Sequence, residues 1–115
     1  MNEPTRRAVA IAGHSGDVAT AAAGLASDDP AVRATALGAL ERLGELTDDA
    51  VVEALGDESA RVRRRAAEIA ATHPGVDLVA ALSDVDPNVV ETAAWACGEH
   101  ESNRDAVLQR LIELA

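Results

Sequence analysis

Three stretches of this chain read as imperfect copies of one another, and that repetition limits the fold more than any other feature. The best copy is Ser27–Leu43, SDDPAVRATALGALERL. Its Val32, Arg33 and Ala36 align with Val62, Arg63 and Ala66, and its Pro30, Val32 and Ala36 with Pro87, Val89 and Ala93. The offsets are 30 and then 27 residues. Within the copy Val32, Ala36, Leu40 and Leu43 recur at helical spacing and form one apolar stripe. Asp29 suits the N-cap, where a carboxylate accepts a bond from an orphaned amide. Pro30 suits the first helical position, where a missing N–H costs nothing. A unit of this length holds a short helix, a tight turn and a longer helix. It cannot bury its apolar face alone, so neighbouring units must stack on it.

Taken in order, the 115 residues are expected to form one all-α domain, 1–115. Its architecture is expected to be a right-handed α-α superhelix of about three helical hairpins flanked by half-units. A half-unit over 4–12 comes first, with Pro4 aligned to Pro30 and Arg7 to Arg33, and Gly13-His14-Ser15-Gly16 breaks it. Units follow at 17–43, 47–73 and 75–100. Their short helices are expected at Val18–Ala26 (Val18, Ala22 and Leu25 inward), from Thr47 or Asp48 to Leu55 (Val51, Ala54 and Leu55 inward), and at Val76–Leu82 (Leu78, Ala81 and Leu82 inward). Ser59 stands at the second cap, Asp84-Val85-Asp86 at the third, and Pro74-Gly75 ends the middle unit. The third long helix should stop near Gly98–His100. Ser102 or Asn103 should then cap a C-terminal helix over 103–114 that bears Val107, Leu108, Leu111 and Ile112.

The element L-x-x-D-D-P-x-V-R-x-x-A-L-x-x-L, best preserved at Leu25–Leu40, resembles HEAT repeats, most closely the short class named after phycobiliprotein lyases. The resemblance covers roughly Pro4–Gly98 and departs from the class pattern at Ser59-Ala60, which replaces Asp-Pro, and at Val90, which replaces the arginine. It implies that Asp29, Arg33, Arg63 and Asp86 bond between adjacent repeats and do not bind a ligand. It also implies that the long helices line a concave side used by partners. The function it implies first is a non-catalytic scaffold or adaptor for a protein partner. The alternatives are a bilin-lyase-related enzyme component, or a DNA-binding relative of the alkyl-base glycosylase type.

Charge separates these alternatives. The net charge is −10, and all ten basic residues are arginine, with no lysine, phenylalanine or tyrosine in the chain. Nucleic-acid binding rests on neutralising phosphates, so a module this acidic is a poor general binder of DNA or RNA. Rich in alanine, valine and carboxylates, the composition resembles that of proteins from salt-loving archaea, where salt screens the self-repulsion of an acidic surface. A GC-rich genome also favours these residues. Large core side chains are few, so modest stability that depends on salt and on the end helices is expected.

No run of about 18 apolar residues spans a membrane, and Met1–Ala12 is not a signal segment, so a cytoplasmic location is expected. Cys97 is alone, which excludes an internal disulfide or a cysteine zinc cluster.

No catalytic, cofactor or metal site is expected. His14, His73 and His100 lie in or beside different loops, without the spacing of a metal site or a triad. Asp84-x-Asp86-x-Asn88 has a superficial likeness to a calcium loop, but Pro87 occupies its turn and Trp95 stands where the bidentate glutamate belongs. The pairs Asp28-Asp29, Asp48-Asp49 and Asp57-Glu58 fall at helix starts, where the helix dipole favours them. Cys97 aligns with Leu40 and reads as a small core residue.

The face opposite the apolar stripe carries more information. At about 100° per residue, Trp95 points away from the stripe of Val89, Ala93 and Cys97, at the position of Gly38 and Glu68. The second long helix turns Arg61, Arg64, Arg65 and Glu68 outward and the third Asn88, Glu91 and Thr92, while the first offers only Ala31, Ala34 and Gly38. A partner-binding surface of Trp95, Arg61, Arg64, Arg65, Glu68, Glu91 and Asn88 is therefore expected. Its arginines reverse the local sign of an acidic protein and suit an acidic segment or a phosphate. Solvation or pairing of the arginines with nearby carboxylates, and packing of Trp95 on the C-terminal helix, are the plainer readings of the same residues. Self-association through the open ends of the stack is a further expectation.

Overall fold

At every α-helix except the one that starts at Ala60, a side chain or proline resolves free N–H groups of the first turn. The computed structural model describes residues 3–114, apart from the side chain of Val107, and all its regular structure is helical. The helices are α1 (Arg6–Ser15), α2 (Val18–Gly24), α3 (Pro30–Arg42), α4 (Asp48–Leu55), α5 (Ala60–Ile69) and α6 (Pro87–Leu114), with 3₁₀ turns at Ala70–Thr72 and Ala80–Ser83. Thr5 Oγ1 accepts from the Ala8 N–H at 3.0 Å, Asp17 Oδ1 from Thr20 at 3.1 Å, Asp29 Oδ1 from Ala31 at 2.9 Å and Thr47 Oγ1 from Ala50 at 3.1 Å. Asp86 Oδ1 takes the Asn88 N–H at 2.8 Å. Ser59 stands at the cap of α5, but its side chain makes no capping bond; the Asp57 carboxylate takes the Ser59 N–H instead.

Consecutive long helices pack on one another, α1 on α3, α3 on α5 and α5 on α6, while α2 fills the angle between α1 and α3 and α4 lies on α5. Close approach depends on missing side chains. A Cβ on Gly13 would stand 3.0 Å from the Ala39 Cα and Cβ, and one on Gly24 would stand 2.9 Å from the Ala36 Cβ and Val9 Cγ2. Alanine supplies about half of the buried apolar positions, and Leu37 is the largest side chain that is fully buried. The core is lean.

Four features depart from the expectations. First, α1 runs to Ser15 instead of stopping at residue 12, because Gly13 and His14 continue the helix and only Gly16, at φ 86°, leaves it. The expected helix of 4–12 is thus a ten-residue helix displaced toward the C-terminus. Second, α2 turns Ala21 and Gly24 inward, leaving Val18 and Ala22 exposed and Leu25 half-buried at its end. Third, the helix expected at Val76–Leu82 is only the 3₁₀ turn Ala80–Ser83, in which Ala81 is buried and Leu82 exposed, with Leu78 buried ahead of it. Asp77 accepts the Val79 N–H there, a local side-chain bond that competes with the helical pattern. Fourth, no break separates a C-terminal helix. Residues 87–114 are one helix, with Gly98, Ser102 and Asn103 inside it. A mid-helix glycine costs only about 1 kcal/mol against alanine, too little to stop a helix already nucleated and packed. From Glu101 to Leu114 every described side chain is exposed, including Leu108, Leu111, Ile112 and Leu114; the side chain of Val107 lies outside the described set.

Two arginines tie the loops together. Arg33 donates through Nε and Nη2 to both oxygens of Asp57, each at 3.0 Å, and through Nη1 to the Ser27 carbonyl at 2.9 Å. Arg63 repeats the pattern, donating to Asp84 at 2.8 and 3.2 Å and to the Asp57 carbonyl at 2.9 Å. Arg33 and Arg63 therefore bridge successive loops as the resemblance implied, but their acids are Asp57 and Asp84, not Asp29 and Asp86. The reason is geometric: Asp29 and Asp86 turn inward to cap their own helices, while the residue two places earlier faces the preceding arginine. That position is Ser27 in the first loop, where the hydroxyl donates to Glu3 Oε2 at 3.2 Å. Burial alone would raise the Asp57 carboxyl; hydrogen bonds from Arg33 and the Ser59 N–H outweigh it and hold the group below its ordinary value. The Arg63 guanidinium does the same for Asp84.

His73 forms a second tie. Its Nε2 lies 2.8 Å from Glu41 Oε2, at the end of α3, and its Nδ1 lies 2.7 Å from Asp48 Oδ1, at the start of α4. Carboxylates only accept, so both ring nitrogens are satisfied as donors in the imidazolium. Burial lowers the ring's basicity, but the bonds to Asp48 and Glu41 more than compensate, and its pKa stands above the ordinary value. A raised histidine pKa contributes stability that is complete below about pH 6.5 and is lost as pH rises through the higher folded value. Wild type is therefore expected to be more stable near pH 5.5 than near pH 8.5 by urea unfolding, and His73→Gln is expected to remove most of that difference. An unchanged difference in the variant would contradict the assignment.

Candidate partner-binding groove

Residues of α1, α3 and α5 border an open groove of about 610 Å³ that reaches the start of α6, and the buried Gly13, Ala34 and Ala39 lie at its base. Small residues make its floor: Ala10 and Gly13 of α1, and Ala34, Gly38 and Ala39 of α3. Charged side chains rise around it. Arg6 and His14 come from α1, Arg42 from α3, and Arg61, Arg64, Arg65 and Glu68 from α5; Asp86 and Asn88 stand at the α6 end.

The floor and one wall are fitted to each other. Arg65 leans across α3, and a Cβ on Gly38 would meet its Nη2 at 2.6 Å. The arginine is held there by Glu68, whose Oε1 accepts from Arg65 Nη1 at 2.6 Å. Arg6, Arg42, Arg61 and Arg64 make no ion pair among the described residues. Five arginines thus face two carboxylates, and one of those, Asp86, is already bonded to the first turn of α6. The groove is positive on a chain of net charge −10.

Five of the seven residues expected on the partner surface line this groove: Arg61, Arg64, Arg65, Glu68 and Asn88. Trp95 and Glu91 do not. Trp95 is 51% exposed on α6, as its angle predicted, and so does not pack on the C-terminal part of that helix, but it stands outside the groove walls. The lining of the groove on α6 ends at Asn88, in its first turn.

The structure adds Arg6, His14 and Arg42. The omission of the two α1 residues, Arg6 and His14, traces to Pro4. In α3 and α6 the proline follows the cap, whereas in α1 Pro4 precedes the cap Thr5. Aligning proline with proline shifts α1 by two residues. Aligning Thr5 with Asp29 gives an offset of 24, which sets Ala10 and His14 opposite Ala34 and Gly38, all four in the groove. The helix caps were the readable signal.

Elsewhere the described residues contain no group of three or more His, Cys, Asp or Glu placed to hold a metal ion. No described helix is long and apolar enough to cross a membrane. Cys97 is a free, half-buried thiol on α6, and His100 Nε2 donates to the Ala70 carbonyl at 2.6 Å. Compared with known families, curated proteins and solved structures, the chain has no match.

Proposed function

We propose that this chain is a non-catalytic protein–protein interaction module, a scaffold or adaptor whose partner lies along the concave side of its long helices. The accompanying fold reading is a HEAT-like right-handed stack of hairpins of the short phycobiliprotein-lyase class, working in the cytoplasm of a salt-adapted cell. One observation carries the functional reading. On an acidic chain, an open groove across three long helices is lined by five arginines against two acids and floored by residues with almost no side chain. A small-residue floor admits a partner's backbone close to the helices, and arginine is the charged residue enriched where binding energy concentrates. The repeated ties of Arg33 to Asp57 and Arg63 to Asp84 hold the helices in register without using the groove residues.

Cross-linked capture from the native cell at its own ionic strength tests the reading. Wild type and Trp95→Ala are expected to recover the same proteins, since Trp95 stands outside the groove. Arg64→Glu is expected to lose at least one of them while keeping its helical circular dichroism. If Arg64→Glu recovers the full wild-type set, the concave-face reading is wrong.

A further inference from the structure

The distribution of charge in the groove says more about its occupant than the presence of charge does. The chain has ten arginines and twenty acids. Five arginines and two acids line the groove, which leaves five and eighteen for the rest of the chain. Within the groove the unpaired guanidiniums are dispersed: Arg6 on α1, Arg42 at the end of α3, Arg61 and Arg64 on α5. A single tetrahedral anion is best held by donors that converge on one point. Donors spaced over three helices match an anion whose charges are spaced as well. A nucleic acid has spaced charges, but its backbone continues past the groove over a surface where acids outnumber arginines by more than three to one. A groove of about 610 Å³ along three helices suits an extended segment laid into it.

We propose that the groove binds a short acidic segment of the partner protein, a run of aspartate and glutamate whose carboxylates spread over Arg6, Arg42, Arg61 and Arg64. This rests on the reading of the concave side as the partner surface and gives that partner its chemistry. The planar guanidinium fork matches a carboxylate with two parallel bonds, and the Ala and Gly floor lets the segment's backbone sit low between the charged walls. Glu68 acts as an internal stand-in for the segment. It already satisfies Arg65 with a carboxylate oxygen at 2.6 Å, so an incoming carboxylate competes with it for that arginine.

The test is fluorescence anisotropy with a labelled eight-residue Asp/Glu peptide, at the lowest salt that keeps full helicity by circular dichroism. The comparison probes are an Asn/Gln peptide, a phosphoserine peptide of equal charge and a single-stranded RNA oligomer. The Asp/Glu peptide is expected to bind saturably and the Asn/Gln peptide not to bind. Arg61→Glu combined with Arg64→Glu should weaken the Asp/Glu peptide by about tenfold or more. Glu68→Gln should tighten it by releasing Arg65, a gain that general loss of structure cannot imitate. Tighter binding of the phosphoserine peptide, or of RNA, would overturn the carboxylate assignment. If the Asn/Gln peptide binds, and Gly38→Leu abolishes it while the double arginine variant does not, the acidic chemistry is wrong but the groove remains the partner surface. If no variant in the groove alters any binding that is seen, the concave-face reading falls as well.

Discussion

Leu37→Ala is expected to lower the unfolding free energy by about 3 kcal/mol, within the 2–5 kcal/mol typical of leucine deletions in cores. Leu37 is 1% exposed at the centre of α3, the helix that packs on α1, α2 and α5. Two circumstances keep the effect well above the bottom of that range. Most surrounding core positions are alanine or valine, which have no spare length to move into the space. A cleft of about 100 Å³ already opens beside Leu37, bordered by Leu25, Val62 and the Arg33–Asp57 pair. Removing the side chain enlarges that cleft toward a half-buried ion pair and lets water reach it. Domains of this size are stable by only about 5–15 kcal/mol, so the variant should show an obvious fall in its urea midpoint. Leu111→Ala is the control: Leu111 is 59% exposed, and its loss should cost under about 0.5 kcal/mol. Equal midpoints for the two variants would show that α3 is not the centre of the core.

The second large effect belongs to Asp84. Asp84→Ala removes both carboxylate bonds to Arg63 and the bond to the Asp86 N–H. It also leaves a guanidinium 14% exposed with no carboxylate bonded to it, although Asp86 and Asp57 still act on it at longer range. A cost of about 2 to 3 kcal/mol is expected, since stranding one member of a mostly buried pair is more damaging than losing an exposed one. Asp86→Ala, two residues away, removes only a helix cap and should cost about 1 kcal/mol. The order of these two variants separates the observed partner of Arg63 from the residue that the repeat pattern favoured. Acid should reveal the same pair. Because the Asp84 carboxyl is held below its ordinary value by Arg63, it contributes stability above about pH 3.8 that is lost as pH falls through the lower folded value. Asp84→Asn should start less stable and lose less on acidification, measured as the change in urea midpoint between neutral and acid pH.

The repeat made the all-α architecture, the positions of the long helices and the caps at Asp29 and Thr47 legible, because these depend on local chemistry within a few residues. The bridging role of Arg33 and Arg63 was legible through the motif, but the identity of their acids was not. Asp-Pro draws attention to the cap, whereas the bridging carboxylate lies two residues earlier and is recognised only when one loop is set beside the next. The continuity of α6 was hidden for an energetic reason. Gly98, Ser102 and Asn103 are weak stop signals, and weak signals yield to a helix already anchored by Val89, Ala93 and Ala96 in the core. Much of the groove was legible from the outward angles of Arg61, Arg64 and Glu68. The contribution of Arg6 was not, because it depends on how α1 is laid against α3, and the proline in front of α1 stands in a different place relative to its cap. Arg42, one turn beyond Gly38 on the same face of α3, was open to the angular reading.

Asp57 gives the architecture a property that a row of separately tied hairpins would lack. Its carboxylate receives Arg33, and its carbonyl receives Arg63. One residue therefore closes both rungs, and a displacement that opens the first also moves the acceptor of the second. Chains whose helices touch mainly their sequence neighbours can melt from an end, unit by unit. Here the middle loop couples the two arginines in either direction, so α3 and α5 are expected to unfold as a single cooperative block and not as successive frayed pieces.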